Sequence, residues 1–136
     1  EVNILLSYFA QQAKESRIEF SVSAQLPESL SIPDNILSVL LGNLLENALY
    51  ACMSVTDRGP WISVKAKTMP DAVFFQIENT CNMHRLKPGS DGYLSTKHEG
   101  DGIGLSSVKN IVEQYDGILE IEPADGIFRV SVLLNL

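Results

Sequence analysis

A two-layer α/β sandwich, with a mixed, mostly antiparallel sheet and about three helices on one of its faces, is the fold class this 136-residue sequence predicts. Three observations predict it. Three segments repeat apolar residues at steps of three and four; five others alternate apolar and polar residues or carry strand-forming types; and the last four of those five pair off around short turns. The order is helix, strand, long helix, two strands, long loop, helix, two strands, which lays helices over a sheet.

Each element has its own signal. From Val2 to about Ser16, Val2, Leu5, Leu6, Phe9 and Ala13 keep helical spacing, with Gln11, Gln12 and Lys14 on the polar face. Ile18 to Ala24 alternates as a half-buried strand. Ser31-Ile32-Pro33-Asp34 supplies a helix-capping candidate before a leucine-rich helix running from Pro33 or Asp34 to Met53. Trp61–Lys67 and Ala72–Asn79 read as a hairpin around Met69-Pro70-Asp71. Between Thr80 and Gly102 the pattern dissolves into polar residues, glycines and Pro88, a length of loop that usually serves as a functional lid. Ile103 to Tyr115 is helical again, and Asp116-Gly117 stops it as a C-terminal cap. Ile118–Glu122 and Ile127–Leu134 close the chain as a second hairpin around Ala124-Asp125-Gly126.

With 45% hydrophobic and 20% charged residues, the chain reads as one globular domain spanning residues 1–136. Its formal net charge of −7, with no local cluster of lysine or arginine, argues against a nucleic-acid partner. A bound nucleotide stays open, because backbone amides and a metal can hold phosphates without a basic surface. Cys52 and Cys81 have no metal-ligand spacing, and Cys52 reads as a small core residue. No run approaches the length of a membrane span, and no signal peptide opens the chain. A helical pattern already running at Val2 reads as a domain excised from a larger protein.

The chemistry concentrates in two stretches. In Leu40–Cys52, Asn43, Glu46, Asn47 and Tyr50 fall within one narrow arc of the helix, opposite Leu37, Leu41, Leu44, Leu45, Ala48 and Cys52. One face packs and the other faces a site. Asn43 and Asn47, four apart, emerge one turn above each other, and a carboxamide oxygen suits Mg²⁺ when phosphates supply the charge. In Gly100-Asp101-Gly102-Ile103-Gly104-Leu105, three alternating glycines precede a helix and let backbone N–H groups approach an anion. That stretch follows no strand, so a Rossmann dinucleotide site does not fit, and no GxxxxGK[ST] loop is present.

Asn43-Leu44-Leu45-Glu46-Asn47-Ala48 resembles the N box, and Gly100-Asp101-Gly102-Ile103-Gly104-Leu105 the second glycine box, of the ATP-binding domain of sensor histidine kinases. This is the GHKL superfamily, with the Bergerat fold, shared with DNA gyrase B and MutL. The phrasing Leu-Leu-Gly-Asn-Leu-Leu-Glu-Asn-Ala and His-Glu-Gly-Asp-Gly-Ile-Gly-Leu-Ser-Ser-Val is most similar to the subgroup that senses quorum peptides in Gram-positive bacteria. The resemblance implies that Asn47, with Asn43, reaches Mg²⁺ and the phosphates of ATP. It implies that Gly100, Gly102 and Gly104 with Leu105 cradle the phosphates and cover the nucleotide. The first glycine box departs from the family: where an Asp usually accepts a hydrogen bond from the adenine amino group, this chain reads Asn79-Thr80-Cys81-Asn82. Asn79 still accepts through its carboxamide oxygen, without the strengthening negative charge. Tyr50 stands where a basic residue often follows the N box, and Lys97 is the substitute phosphate contact.

On this resemblance the domain binds MgATP and donates the γ-phosphate to a histidine on a separate dimerisation domain of the same homodimeric protein, from which a response regulator is then phosphorylated. It is a cytoplasmic domain of a membrane-anchored bacterial sensor, without direct membrane contact of its own. His84 and His98 lie in the lid loop and do not match the family's phosphoacceptor. Gyrase-like relatives place a general-base Glu where Asn43 stands, and a neutral Asn fits phosphoryl transfer better than ATP hydrolysis. Glu46 reads as capping or orienting the lid as readily as a base. The alternatives are a degenerate module that keeps the fold without binding ATP, and an anti-sigma-factor-type serine kinase, against which Asn43 counts.

Overall fold

Helix α2, Asp34–Cys52, lies where the leucine spacing puts it and buries Leu37, Leu40, Leu41, Leu44, Leu45, Ala48, Ala51 and Cys52. The computed structural model describes residues 2–27, 30–85, 87–88, 94–95 and 102–136. In chain order these form α1 (Val2–Glu15), β1 (Glu19–Gln25), α2, β2 (Trp61–Met69), β3 (Ala72–Thr80), a 3₁₀ turn (Met83–Arg85), β4 (Lys87–Pro88), β5 (Leu94–Ser95), α3 (Gly102–Gln114), β6 (Ile118–Ala124) and β7 (Ile127–Asn135).

Five strands make one sheet in the order β1-β2-β3-β7-β6, parallel between β1 and β2 and antiparallel elsewhere. β4 and β5 form a separate two-stranded ribbon. The pleat sends Ile62, Val64, Val73, Phe75, Ile77, Phe128, Val130, Val132 and Leu134 into one core with Phe9 and Ala13 of α1, the α2 leucines, and Val108, Ile111 and Val112 of α3. On the opposite face Arg129 pairs with Glu78 at 2.8 Å and Gln76 donates to Ser131 Oγ at 3.2 Å. Trp61 and Phe74 belong to that face and are half-buried, whereas Phe75 and Phe128 lie in the core. Strand period, not aromatic character, decides which of them is covered.

Two expectations are corrected and one is sharpened. The start of α2 has no side-chain cap: Pro33 occupies that position, its carbonyl accepting from Ile36 and Leu37 N–H at 3.0 and 3.2 Å, and Asp34 complements the helix dipole. The stop of α3 is at Asp116-Gly117 as expected, with the roles divided between the two residues. Asp116 takes the left-handed conformation (φ 48°), while Gly117 donates to Val112 O at 2.8 Å and sits so close to β7 that a Cβ would lie 2.0 Å from Leu133 O. α1 ends the same way, with Arg17 at φ 60° and Ile18 N–H on Ala13 O at 2.8 Å. Finally, β1 is less buried than its alternation suggests: Phe20 is half-buried but Val22 and Ala24 are exposed, because the strand forms an edge. Asp125 (φ 53°) and Gly126 (φ 78°) close the β6–β7 hairpin in the two-residue turn that suits strand twist.

Candidate functional site

Asn43 and Asn47, one turn apart on α2, are both half-buried. A Cβ built on Gly104 would come within 3.4 Å of Asn43 Oδ1, so the first turn of α3 lies directly against this flank of α2. The two stretches that the sequence singled out therefore meet. Asn43 Nδ2 donates to the Val39 carbonyl at 2.9 Å, which orients the carboxamide with its oxygen toward α3. Among the described residues the Asn47 carboxamide has no hydrogen-bond partner. Glu46 is exposed, and Tyr50, three residues beyond Asn47, is 37% exposed.

α3 begins at Gly102, one residue earlier than its apolar pattern suggests, so Gly102 and Gly104 lie inside its first turn. The N–H groups there have no partner within the helix and carry the positive end of its dipole. Leu105 is buried, so only its backbone is placed to meet an anion. Lys97, Gly100 and His98, and with them most of the expected lid, lie outside the described residues. No group of three or more His, Cys, Asp or Glu side chains converges among the described residues. A divalent cation at Asn43 and Asn47 would be held by carboxamide oxygen, with ligand phosphates and water completing its shell, a donor set that fits Mg²⁺.

The C-terminal end of α2 meets the end of β3, and here the buried polar residues Asn79 and Thr80 lie. Asn79 is 2% exposed, and its Nδ2 donates to Thr80 O at 2.9 Å, which leaves Oδ1 able to accept a hydrogen bond. Cys52 Sγ lies 3.4 Å from Trp61 O, 3.6 Å from Thr80 O and 3.5 Å from Thr80 Oγ1, and Thr80 Oγ1 also accepts the Trp61 N–H at 3.1 Å. Burial pushes the Cys52 thiol up, against the opposing pull of its Thr80 contacts. Both cysteines are free and buried. Arg58 Nη2 donates to Cys81 O and Gly126 O, each at 3.0 Å, tying the end of β3 to the β6–β7 turn. Beside it lies a cleft of about 370 Å³, lined by Arg58, Cys81, Asn82 and His84 among others. His84 is exposed, its N–H held by Asn82 Oδ1 at 3.0 Å. Thr80 and Arg58 have no local sequence signal, because their partners are distant in the chain.

On this two-layer α/β frame the first turn of α3 lies against the paired carboxamides of α2, and the buried Asn79 lies where the C-terminal end of α2 meets β3. Residues 34–135 match the model of the GHKL domain family, and the chain belongs to that family. It is 32% identical over 130 residues to the sensor histidine kinase ZraS of Escherichia coli O157:H7, covering 92% of this chain and 27% of the relative. A probable C4-dicarboxylate sensor kinase of Bacillus subtilis is 31% identical over 112 residues, covering 79% of this chain and 21% of the relative. The chain thus spans about a quarter of the length of these curated relatives. Among solved structures, the catalytic domain of histidine kinase ThkA superposes with a TM-score of 0.71 at 16% identity, covering 98% of this chain and 91% of that one. Histidine kinase AdeS of Acinetobacter baumannii does so at 0.69 and 14%, covering 98% and 62%. The fold is that of histidine kinase catalytic domains.

Proposed function

We propose that this chain binds MgATP across α2 and the N-terminus of α3 and is the catalytic domain of a sensor histidine kinase, passing the γ-phosphate to a histidine on a separate dimerisation domain of the same protein. The observation that supports this reading is the seating of Gly104 on Asn43, which sets the first turn of α3 beside a carboxamide oxygen of α2. From Asn43 to Cys52 the axis of α2 runs about 14 Å, a span suited to phosphates at one end and a base at the other. Asn79 receives the adenine amino group through Oδ1, and a neutral acceptor there makes adenine binding weaker than a carboxylate would.

The protein's part in transfer is positioning. Asn43 and Asn47 orient the phosphate end, and the amides of Gly102, Gly104 and Leu105 spread the charge of the phosphates, with Gly100, Lys97 and Tyr50 as further contacts. Mg²⁺, when bound, neutralises phosphate charge that the chain itself, at −7, does not. Asn43 offers no base, which favours transfer to a histidine over attack by water. The parent is read as a membrane-anchored homodimer with this domain in the cytoplasm, signalling to a response regulator. The wording of the two motifs supports a place among quorum-peptide sensors. No helix among the described residues is long and apolar enough to cross a membrane.

Calorimetric titration with MgATP and with MgADP tests the reading. Saturable heat and a raised melting temperature are expected for both. No heat and no melting shift at millimolar nucleotide would overturn it in favour of a nucleotide-independent interaction module.

A further inference from the structure

The two edges of the sheet are built differently. β6 carries Glu120, Glu122 and Pro123, devices that discourage a further strand from pairing. β1 has no proline, lysine or arginine. Its odd-numbered residues bond toward β2: Glu19 N–H donates to Pro60 O at 3.1 Å, and Gln25 O accepts from Thr68 Oγ1 at 3.2 Å. Backbone groups alternate sides along a strand, so the N–H and C=O of Phe20, Val22 and Ala24 point out of the sheet. Val22 lies on the helix-covered side by register with Val64, yet is 43% exposed, whereas Val64 is buried.

We propose that β1 pairs antiparallel with β1 of a second copy of this chain, about a two-fold axis at Val22, joining two five-stranded sheets into one continuous sheet. The sequence Glu19-Phe20-Ser21-Val22-Ser23-Ala24-Gln25 is close to self-complementary about its centre. Antiparallel pairing there sets Val22 against Val22, Ser21 against Ser23, and the large Phe20 against the small Ala24. Each of these positions can be met by its counterpart without a clash or an opposed charge. Because the outward groups belong to residues 20, 22 and 24, the pairing forms about six backbone hydrogen bonds. The ends are complementary in charge as well. Glu19 falls opposite Gln25 of the other copy, and Gln25 is in register with Lys67 on β2. Two strand spacings, about 10 Å, then separate the Glu19 and Lys67 backbones, a gap that their side chains span. Among the described residues neither Lys65 nor Lys67 has an ion-pair partner. A two-fold contact of this kind is isologous and closes at two copies, so it makes a dimer and not a fibre.

Sedimentation velocity of the 136-residue chain from micromolar to millimolar concentration tests the pairing. A concentration-dependent dimer is expected. Val22→Pro removes one outward N–H without touching the β2 ladder, and should weaken the dimer about tenfold or more while leaving the melting temperature of the monomer within a few degrees. Val22→Lys, which keeps the N–H and adds a charge to the edge, should do the same and covers the case in which the proline variant fails to fold. Val22→Cys should crosslink to itself under diamide, since paired Cα atoms at a two-fold are about 5.5 Å apart. A monomer at every concentration would overturn the proposal and leave the edge for an extended segment of another protein. A dimer that persists in both variants, or one that crosslinks through Glu120→Cys on β6 instead, would overturn it too.

Discussion

The two sides of α2 follow opposite rules. On one, Leu37, Leu41, Leu44, Leu45 and Ala48 are all buried, and their identity matters through volume and hydrophobicity alone. On the other, Asn43 and Asn47 are half-buried carboxamides, one spent on its own helix and directed at α3, the other without a partner among the described residues. The packed side fixes the depth and rotation of the helix, and that placement is what would let two neutral side chains hold the phosphate end in the proposed site. A site built from Asn depends on geometry more than a charged one would, because it has little long-range attraction to offer.

The contrast can be broken first from the packed side. Leu45 is fully buried, and Leu45→Ala should cost about 2–5 kcal/mol in urea unfolding, with nucleotide affinity lost only as the folded fraction falls. Asn47→Ala inverts the pattern. It should change stability by less than about 1 kcal/mol yet reduce MgATP affinity about tenfold or more by calorimetry, whereas Glu46→Gln, on the exposed surface beside it, should change neither. Near-wild-type affinity in Asn47→Ala would move the site elsewhere.

The smallest effect concerns pH. The Cys52 thiol titrates above its ordinary value of 9.0, chiefly through burial, so the folded state holds its proton more tightly than the unfolded one. The resulting stability is present below pH 9 and is lost as pH rises through the folded value. Cys52→Ala should therefore flatten the alkaline decline expected in thermal melts between pH 8 and pH 10; an unchanged decline would assign it to another group.

Much of this was legible in the chain. The steps of three and four in α2 separated its two sides, and Pro70-Asp71 and Asp125-Gly126 placed both hairpin turns, since these signals are local. The pairing of Asn43 with Gly104 followed only from resemblance, because the 60 intervening positions carry no periodic link between them. What stayed hidden was set by tertiary neighbours: the exposure of β1 depends on its being an edge, and Cys52 is a polar junction only because Thr80 arrives beside it. Asp116 and Gly117 show what a local signal leaves open. The dipeptide correctly marked a helix end, but glycine is required there by the approach of β7, and aspartate carries the positive φ.

That junction has a mechanical consequence. At its C-terminal end α3 is clamped to β7, with Gly117 against the Leu133 carbonyl, Asn135 N–H on Tyr115 O at 3.1 Å, and Asn135 Nδ2 on Asp116 O. The opposite end, about 20 Å away along the axis, presents the amides proposed to meet phosphate. α3 is thus a cantilever, and its working tip inherits its alignment from a joint that no nucleotide would touch. Small angular errors at the joint are magnified at the tip, so the residues that aim this site lie as far from it as the helix allows.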